Sequence, residues 1–300
     1  MKYGVQILTV AVLILGGYGC ADLKNGVPPA TAPGVQAHGT GWLDKSSPNF
    51  HGNAIRQANW DMQSCKTCHG QQYDGGSVDV SCRTCHTGGA GPENCATCHG
   101  SATNIAPPRD LSGNSLRSAR GVGAHQPHVV GTSIGSIIPC GECHNVPSSV
   151  YQADHIDATP NAEVVMNAGL THTITNEETT PTYSPGLPLY TPTPTYDPNT
   201  LTCASTYCHG TFKNGNPTFA PVWTNASGSQ MACGTCHGDV TKPTLAERAL
   251  PRTAALGGTH PNVLTCSNCH GDVVDANLRI IDPVKHVNGR LNLFGQERDY

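Results

Sequence analysis

Seven close pairs account for fourteen of the 15 cysteines in this 300-residue chain, and a histidine follows the second cysteine of every pair. Six pairs read CxxCH: Cys65/Cys68/His69, Cys82/Cys85/His86, Cys95/Cys98/His99, Cys140/Cys143/His144, Cys233/Cys236/His237 and Cys266/Cys269/His270. The seventh is stretched by two residues, with Ala204 to Tyr207 between Cys203 and Cys208, and His209 following. Two thiols three apart lie on one side of a helical turn, where each can form a thioether to one vinyl group of a haem. The next residue, a histidine, is then placed to reach the iron from the proximal side. The spacing therefore predicts seven covalently bound haem c groups. The fourteen paired cysteines are the thioether donors, and His69, His86, His99, His144, His209, His237 and His270 are the proximal ligands.

Other uses of paired cysteines fit less well. A CxxC pair is commonly half of a zinc site or a dithiol redox centre. Zinc ribbons, however, use pairs of pairs, and seven is odd. Neither zinc nor disulfides require a histidine after every second cysteine.

Eight further histidines remain: His38, His51, His125, His128, His155, His172, His260 and His286. Seven haems need seven distal ligands to be six-coordinate, so one histidine is spare. A catalytic haem keeps one axial position open for substrate, whereas an electron-transfer haem fills both. A near one-to-one stock of extra histidines therefore favours an electron carrier over an enzyme. The alternative axial ligand, methionine, is scarce: beyond Met1 only Met62, Met166 and Met231 occur. Ligation by histidine on both faces, without methionine, predicts low and closely spaced potentials.

The elements that must position these residues are short. Gly (34) and Pro (23) are abundant, hydrophobic residues make up 37% and aromatics 5%, so side chains alone cannot build a large core. Charged residues are 13% with a net charge of −4, which excludes a disordered polyelectrolyte. No Lys/Arg-rich stripe exists for nucleic acid. Porphyrin is expected to supply the buried apolar surface. The fold class is mostly irregular and loop-rich with short helices, a haem-nucleated multihaem cytochrome c architecture. A helical turn is expected at each motif, a helix near Thr244–Leu250, and short strands near Glu163–Val165. Residues 176–202, rich in Thr, Pro and Tyr, form an extended excursion. That excursion is either a loose insertion or an arm that packs on a neighbouring subunit or partner. Only 12 residues separate His69 from Cys82 and eight separate His86 from Cys95. Eight residues reach at most roughly 28 Å, so neighbouring haems must lie close.

The chain begins with Lys2, an apolar run from Val5 to Leu15, then Gly16, Gly17 and Gly19 before Cys20. The run is too short to span a bilayer and reads as an export signal over residues 1–19. Cys20, the one cysteine outside the pairs, reads as a lipidation site. The small residues before it would also suit ordinary signal peptidase. No other segment is expected to cross a membrane. The expected organisation is a tether over 20–37, a three-haem module over 38–112 and a four-haem module over 113–300.

Several segments carry a family resemblance. These are Gly121-Val-Gly-Ala-His125-Gln-Pro-His128, Cys140-Gly-Glu-Cys143-His144, Asp154-His155, Tyr207-Cys208-His209-Gly210, Gly258-Thr-His260-Pro261 and Lys285-His286. With them the chain resembles the multihaem c-type cytochromes of dissimilatory metal-reducing bacteria, in the group defined by CxxxxCH followed by CxxCH. His38-Gly-Thr-Gly-Trp42 and Phe50-His51-Gly52 resemble the N-terminal part of longer members. The resemblance singles out His38, His51, His125, His128, His155, His260 and His286 as distal ligands and leaves His172 spare. His125 and His128 would share a helical face yet reach two different irons. The resemblance also implies an exported protein that passes electrons outward. It would be an outer-membrane lipoprotein on the periplasmic or cell-surface face, or a secreted one. Expected partners are other cytochromes or porin–cytochrome components, extracellular metal oxides, or further copies of itself, and no nucleic acid. Two other roles compete: a protomer of a haem-lined filament, and a multihaem reductase, for which no CxxCK motif is present.

Overall fold

A computed structural model describes residues 37–101, 104–106, 109–157, 159, 161–175, 190–225 and 227–299. The export signal, Cys20, the tether up to residue 36, and residues 176–189 of the Thr/Pro-rich stretch lie outside them. The chain divides between Pro92 and Glu93 into two compact units. That division falls between the second and third CxxCH motifs, whereas the spacing groups the first three within residues 38–112.

In the first unit, helix α1 (His51–Gln57) begins at a histidine whose backbone N–H donates to Trp42 O at 2.9 Å. A 3-10 turn, Gln63–Cys65, runs straight into helix α2 (Lys66–His69), so the first motif is continuous helical backbone. The chain then folds back against the motif through Gly76, with φ +54°. A Cβ there would lie 2.3 Å from Gly70 N and 2.4 Å from Cys68 O, so only glycine passes. The second motif begins as a 3-10 turn, Cys82–Thr84, with the Ser81 hydroxyl accepting from Arg83 N. Cys85 falls one residue past that turn, its N–H donating to Cys82 O, so this motif is not helical through to its histidine.

The second unit repeats this pattern with small elements. Helix α3 (Cys95–Cys98) is capped by Asn94, helix α4 (His125–Val129) follows, and Cys140–Glu142 is a 3-10 turn. Strands β1 (Thr195–Asp197) and β2 (Thr202–Ala204) pair antiparallel, with Tyr196 opposite Cys203. The stretched motif thus starts on a strand and ends in a 3-10 turn, Tyr207–His209. Ser205 at φ +55° makes the change of direction. Helix α5 (Leu245–Ala249) carries a complete capping box between Thr244 and Glu247, as the Thr-Leu-Ala-Glu sequence favours. Helix α6 (Ser267–His270) holds the last motif. Helix α7 (Pro283–His286) starts with Asp282 as cap and proline in its first turn, and a hairpin of β3 (Leu291–Leu293) and β4 (Gln296–Arg298) follows. The hairpin is tied to α6 through Cys269, whose carbonyl accepts from Phe294 N at 2.7 Å.

Three sequence expectations differ from this structure. The motif at Cys233–His237 forms turns rather than a helix, because Gly234 (φ +99°) and Gly238 (φ +83°) take the left-handed region. Glu163–Val165 forms no strand; it is an extended segment held to the fourth motif by Val165 N donating to Cys143 O at 2.9 Å. The described end of the Thr/Pro-rich excursion returns onto its own chain, through a Thr175–Tyr190 bridge and through β1.

Among the described residues the buried apolar side chains are few: Met62, Tyr73, Ala106, Val122, Tyr207, Val273 and Val274. Many larger ones stand exposed on the polypeptide, including Leu43 (78%), Leu116 (72%) and Phe294 (71%). Among the described residues no helix is long and apolar enough to cross a membrane.

Candidate metal centres

Each histidine that closes a cysteine motif faces one other histidine, and no two share a partner. In the first unit the ring centroids of His38 and His69 lie 6.0 Å apart, and those of His51 and His86 lie 6.1 Å apart. In the second unit His155 faces His99 at 6.0 Å, His125 faces His144 at 6.3 Å and His128 faces His209 at 6.1 Å. His286 faces His237 at 6.3 Å, and His260 faces His270 at 6.4 Å. These distances match what a metal ion between the rings needs. Two imidazole nitrogens bound from opposite sides at about 2.0–2.1 Å, with ring centres roughly 1.1 Å behind them, put centroids about 6.3 Å apart. The residues present therefore fit a haem iron. Among the described residues no three of His, Cys, Asp and Glu converge as a zinc site requires; the histidines converge in twos.

Hydrogen bonds orient the rings. Among the motif histidines, Nδ1 meets a backbone carbonyl at His69 (Val80 O, 2.8 Å), His144 (Glu163 O, 2.7 Å), His237 (Ala249 O, 2.8 Å) and His270 (Asn292 O, 2.7 Å). On the facing side the acceptors are Trp42 O for His51, Val122 O for His125, Ala124 O for His128 and Val150 O for His155. Pro261 O serves His260 and Ile134 O serves His286. A carbonyl accepts only, so Nδ1 must carry the proton and Nε2 keeps its lone pair for a metal. Burial pushes the same way. It lowers His209 to about 3 and His237 to about 4, keeping both rings neutral.

Two tryptophans tie neighbouring pairs together. Trp42 stacks on His38 at 4.1 Å and 8°, and its carbonyl takes the His51 Nδ1 proton. Trp223 meets His125 edge-on at 4.7 Å and lies along His128 at 5.8 Å, with its indole N–H donating to Arg120 O. Both histidines of α4 are thus clamped by one ring while facing two different partners.

Successive motifs are neighbours within each unit. The Cys82 thiol is raised first by burial and next by Cys65. Cys203 is raised by burial, to about 11, with Cys143 adding to it. Cys208 reaches about 12 through burial first, then Glu142, Cys143 and, more weakly, Cys236. His99 is lowered by burial first, then by His155 and His144, while Cys266 is raised by burial and, more weakly, by Cys233. Consecutive motifs of the second unit therefore lie near one another.

The sequence reading makes every motif cysteine a thioether donor, and no two of the fourteen are joined as a disulfide. They are Cys65 and Cys68, Cys82 and Cys85, Cys95 and Cys98, Cys140 and Cys143, Cys203 and Cys208, Cys233 and Cys236, and Cys266 and Cys269. Cys85 is exposed and Cys269 half-buried, so the two thiols differ in surroundings while each stays free to react. Among the described residues His172 faces no motif histidine, and its Nδ1 lies 3.1 Å from the Thr171 hydroxyl. The parts that sequence reasoning missed are the two tryptophans and the carbonyl acceptors. The His38-to-Trp42 spacing was a visible signal for the first tryptophan; nothing local signals Trp223 or a carbonyl.

Residues 202–237 match the family model described as "Geobacter CxxxxCH...CXXCH motif". The matched segment takes in the stretched motif, from Cys203, and the CxxCH that follows it, to His237. No curated protein matches the chain, and no solved structure does.

Proposed function

We propose, on the premise that residues 202–237 carry the Geobacter CxxxxCH...CxxCH motif, that the chain is a seven-haem c-type cytochrome that conducts electrons and is not an enzyme. The observation that carries this reading is the pairing of all seven motif histidines with seven separate histidines at 6.0–6.4 Å. A haem iron held between such rings exchanges single electrons between its ferric and ferrous states. The fourteen motif cysteines, from Cys65 to Cys269, would hold the seven groups covalently. His38, His51, His155, His125, His128, His286 and His260 would be the distal partners of His69, His86, His99, His144, His209, His237 and His270 respectively. Two imidazoles per metal leave no open position for a substrate, which argues against the reductase reading. Carbonyl acceptors on Nδ1 strengthen the rings as donors, and this favours the ferric state and low potentials.

The cellular setting is part of the same proposal. Thioether attachment to haem, the apolar N-terminal run and Cys20 support export and a lipid anchor at the outer membrane. Electrons would then pass to other cytochromes, to porin–cytochrome components or to extracellular metal oxides. Haem content tests the central claim: pyridine haemochrome absorbance against protein concentration should give seven haems per chain, with low-spin EPR throughout. A colourless yet folded protein, or a substantial high-spin signal, would overturn it. Retention of a Cys20→Ala variant in the outer-membrane fraction would refute the lipid anchor.

A further inference from the structure

We propose that the haem carried by the stretched motif, Cys203/Cys208/His209, has the most positive reduction potential of the seven, so that the first electron to enter the second unit rests there. The inference builds on the seven-haem reading above. It starts from one ring nitrogen: among the described residues His209 is the histidine whose Nδ1 is buried without a hydrogen-bond partner. At His69, His144, His237 and His270 Nδ1–H donates to a carbonyl, while His86 and His99, which have no such carbonyl, are only half-buried with Nδ1 open to water. Such a bond makes the imidazole a stronger donor and stabilises the ferric state, so its loss moves the potential upward.

The chain path explains the missing acceptor. In those four motifs the carbonyl comes from a segment further along the sequence that returns over the histidine. After His209 the chain turns instead to the next motif. Asn216 N donates to Cys236 O, and Asn216 Nδ2 reaches Gly234 O, Thr235 O and Gly238 O. Nearer by, the Thr206 hydroxyl accepts from the His209 backbone N–H.

Burial adds to the effect. Thr206 and Tyr207 inside the motif, and Gly210 directly after it, are buried. A ferric haem between neutral imidazoles carries a net positive charge that the ferrous form lacks, and a dry site disfavours it. Burial alone does not single out this motif, because His237 is similarly enclosed; the carbonyl of Ala249 is what separates the two. The opposing influence is Glu142, whose carboxylate lies near Cys208. Both its oxygens already accept backbone N–H bonds, from Leu170 and Thr171, which disperses the charge. In the second unit's run of five motifs, Cys203/Cys208 is the third.

Reduction at this site takes one electron from an external reductant and transfers no atom. The holoprotein is titrated stepwise with dithionite under mediators and followed by low-temperature EPR. The ring planes cross at 74° for His128/His209, 73° for His237/His286 and 86° for His51/His86; in the other four pairs they lie within 34°. Crossed imidazoles leave two iron d orbitals nearly degenerate and give a large principal g value, whereas parallel ones give a rhombic spectrum. The first electron should remove one of the large-g components and leave the rhombic signals intact. That component's midpoint should move in His128→Met and stay at its wild-type value in His51→Met and His286→Met. Rhombic signals lost first, or a first midpoint unmoved by His128→Met, would overturn the proposal. The wild-type order needs no variant, so rhombic signals lost first overturn the proposal even where a variant fails to mature. Fewer than seven haems would instead overturn the reading beneath it.

Discussion

Gly123 shows how finely single residues set these centres. Its φ is +41°, and a Cβ there would lie 1.9 Å from Trp223 Nε1. Gly123→Ala should therefore displace the ring that clamps His125 and His128, at a cost of about 1–3 kcal/mol. Thermal unfolding reads the loss, and EPR should show change at the His125/His144 and His128/His209 centres with the other five unaltered. The spare histidine provides the contrast. His155→Ala should convert one haem of seven to a high-spin form, while His172→Ala should leave the spectrum as it was. Both spectra are read on the purified holoprotein. The His155–His172 distinction was legible in the sequence only through family-like surroundings, because a histidine's partner is chosen through space.

At the scale of elements, short helices serve to aim backbone carbonyls. Helix α5 is the clearest case: its last residue, Ala249, supplies the oxygen that takes the His237 proton. The helix starts on the Thr244–Glu247 capping box, so Thr244→Ala should cost about 0.5–2 kcal/mol. It should also loosen the His237 acceptor. The expected readouts are a lower melting temperature and a positive shift of the His237/His286 potential. This helix was readable from Thr-Leu-Ala-Glu alone. The turns at Cys233–His237 were not, because nothing in CxxCH says that a glycine between the cysteines will take φ +99°. Nor does CxxCH distinguish Cys85, which lies past its 3-10 turn, from Cys269, which sits inside a helix. Local pattern likewise did not show that Glu163–Val165 would lie unpaired over His144 and lend it a carbonyl.

For the molecule as a whole, the balance of apolar surface is decisive. Among the described residues only seven apolar side chains are buried, while Leu43, Leu116 and Phe294 stand exposed. On the proposed reading, cofactor faces supply the remaining contact area, as metals do in domains that fold only when loaded. On that reading, chain produced without residues 1–19, and so without haem, should show no cooperative thermal transition by circular dichroism. A cooperative melt of the colourless chain would contradict this. The same global view yields a spectroscopic expectation for the intact protein. Four centres should be rhombic and three of the large-g type, as their ring angles divide.

The sequence by itself determined which atoms can attach and grip the cofactor. Thioether formation needs Cys, Cys and His in a fixed local order, and local order is what a sequence records. It also determined that ordinary core packing would be too weak, since composition bounds the apolar area available. Tertiary structure alone decided the rest: which imidazole faces which, at what angle, and whether a carbonyl waits behind it. Many of those quantities depend on segments far apart in sequence, as with Ile134 O and His286 Nδ1. Only the folded path brings such groups within hydrogen-bonding reach.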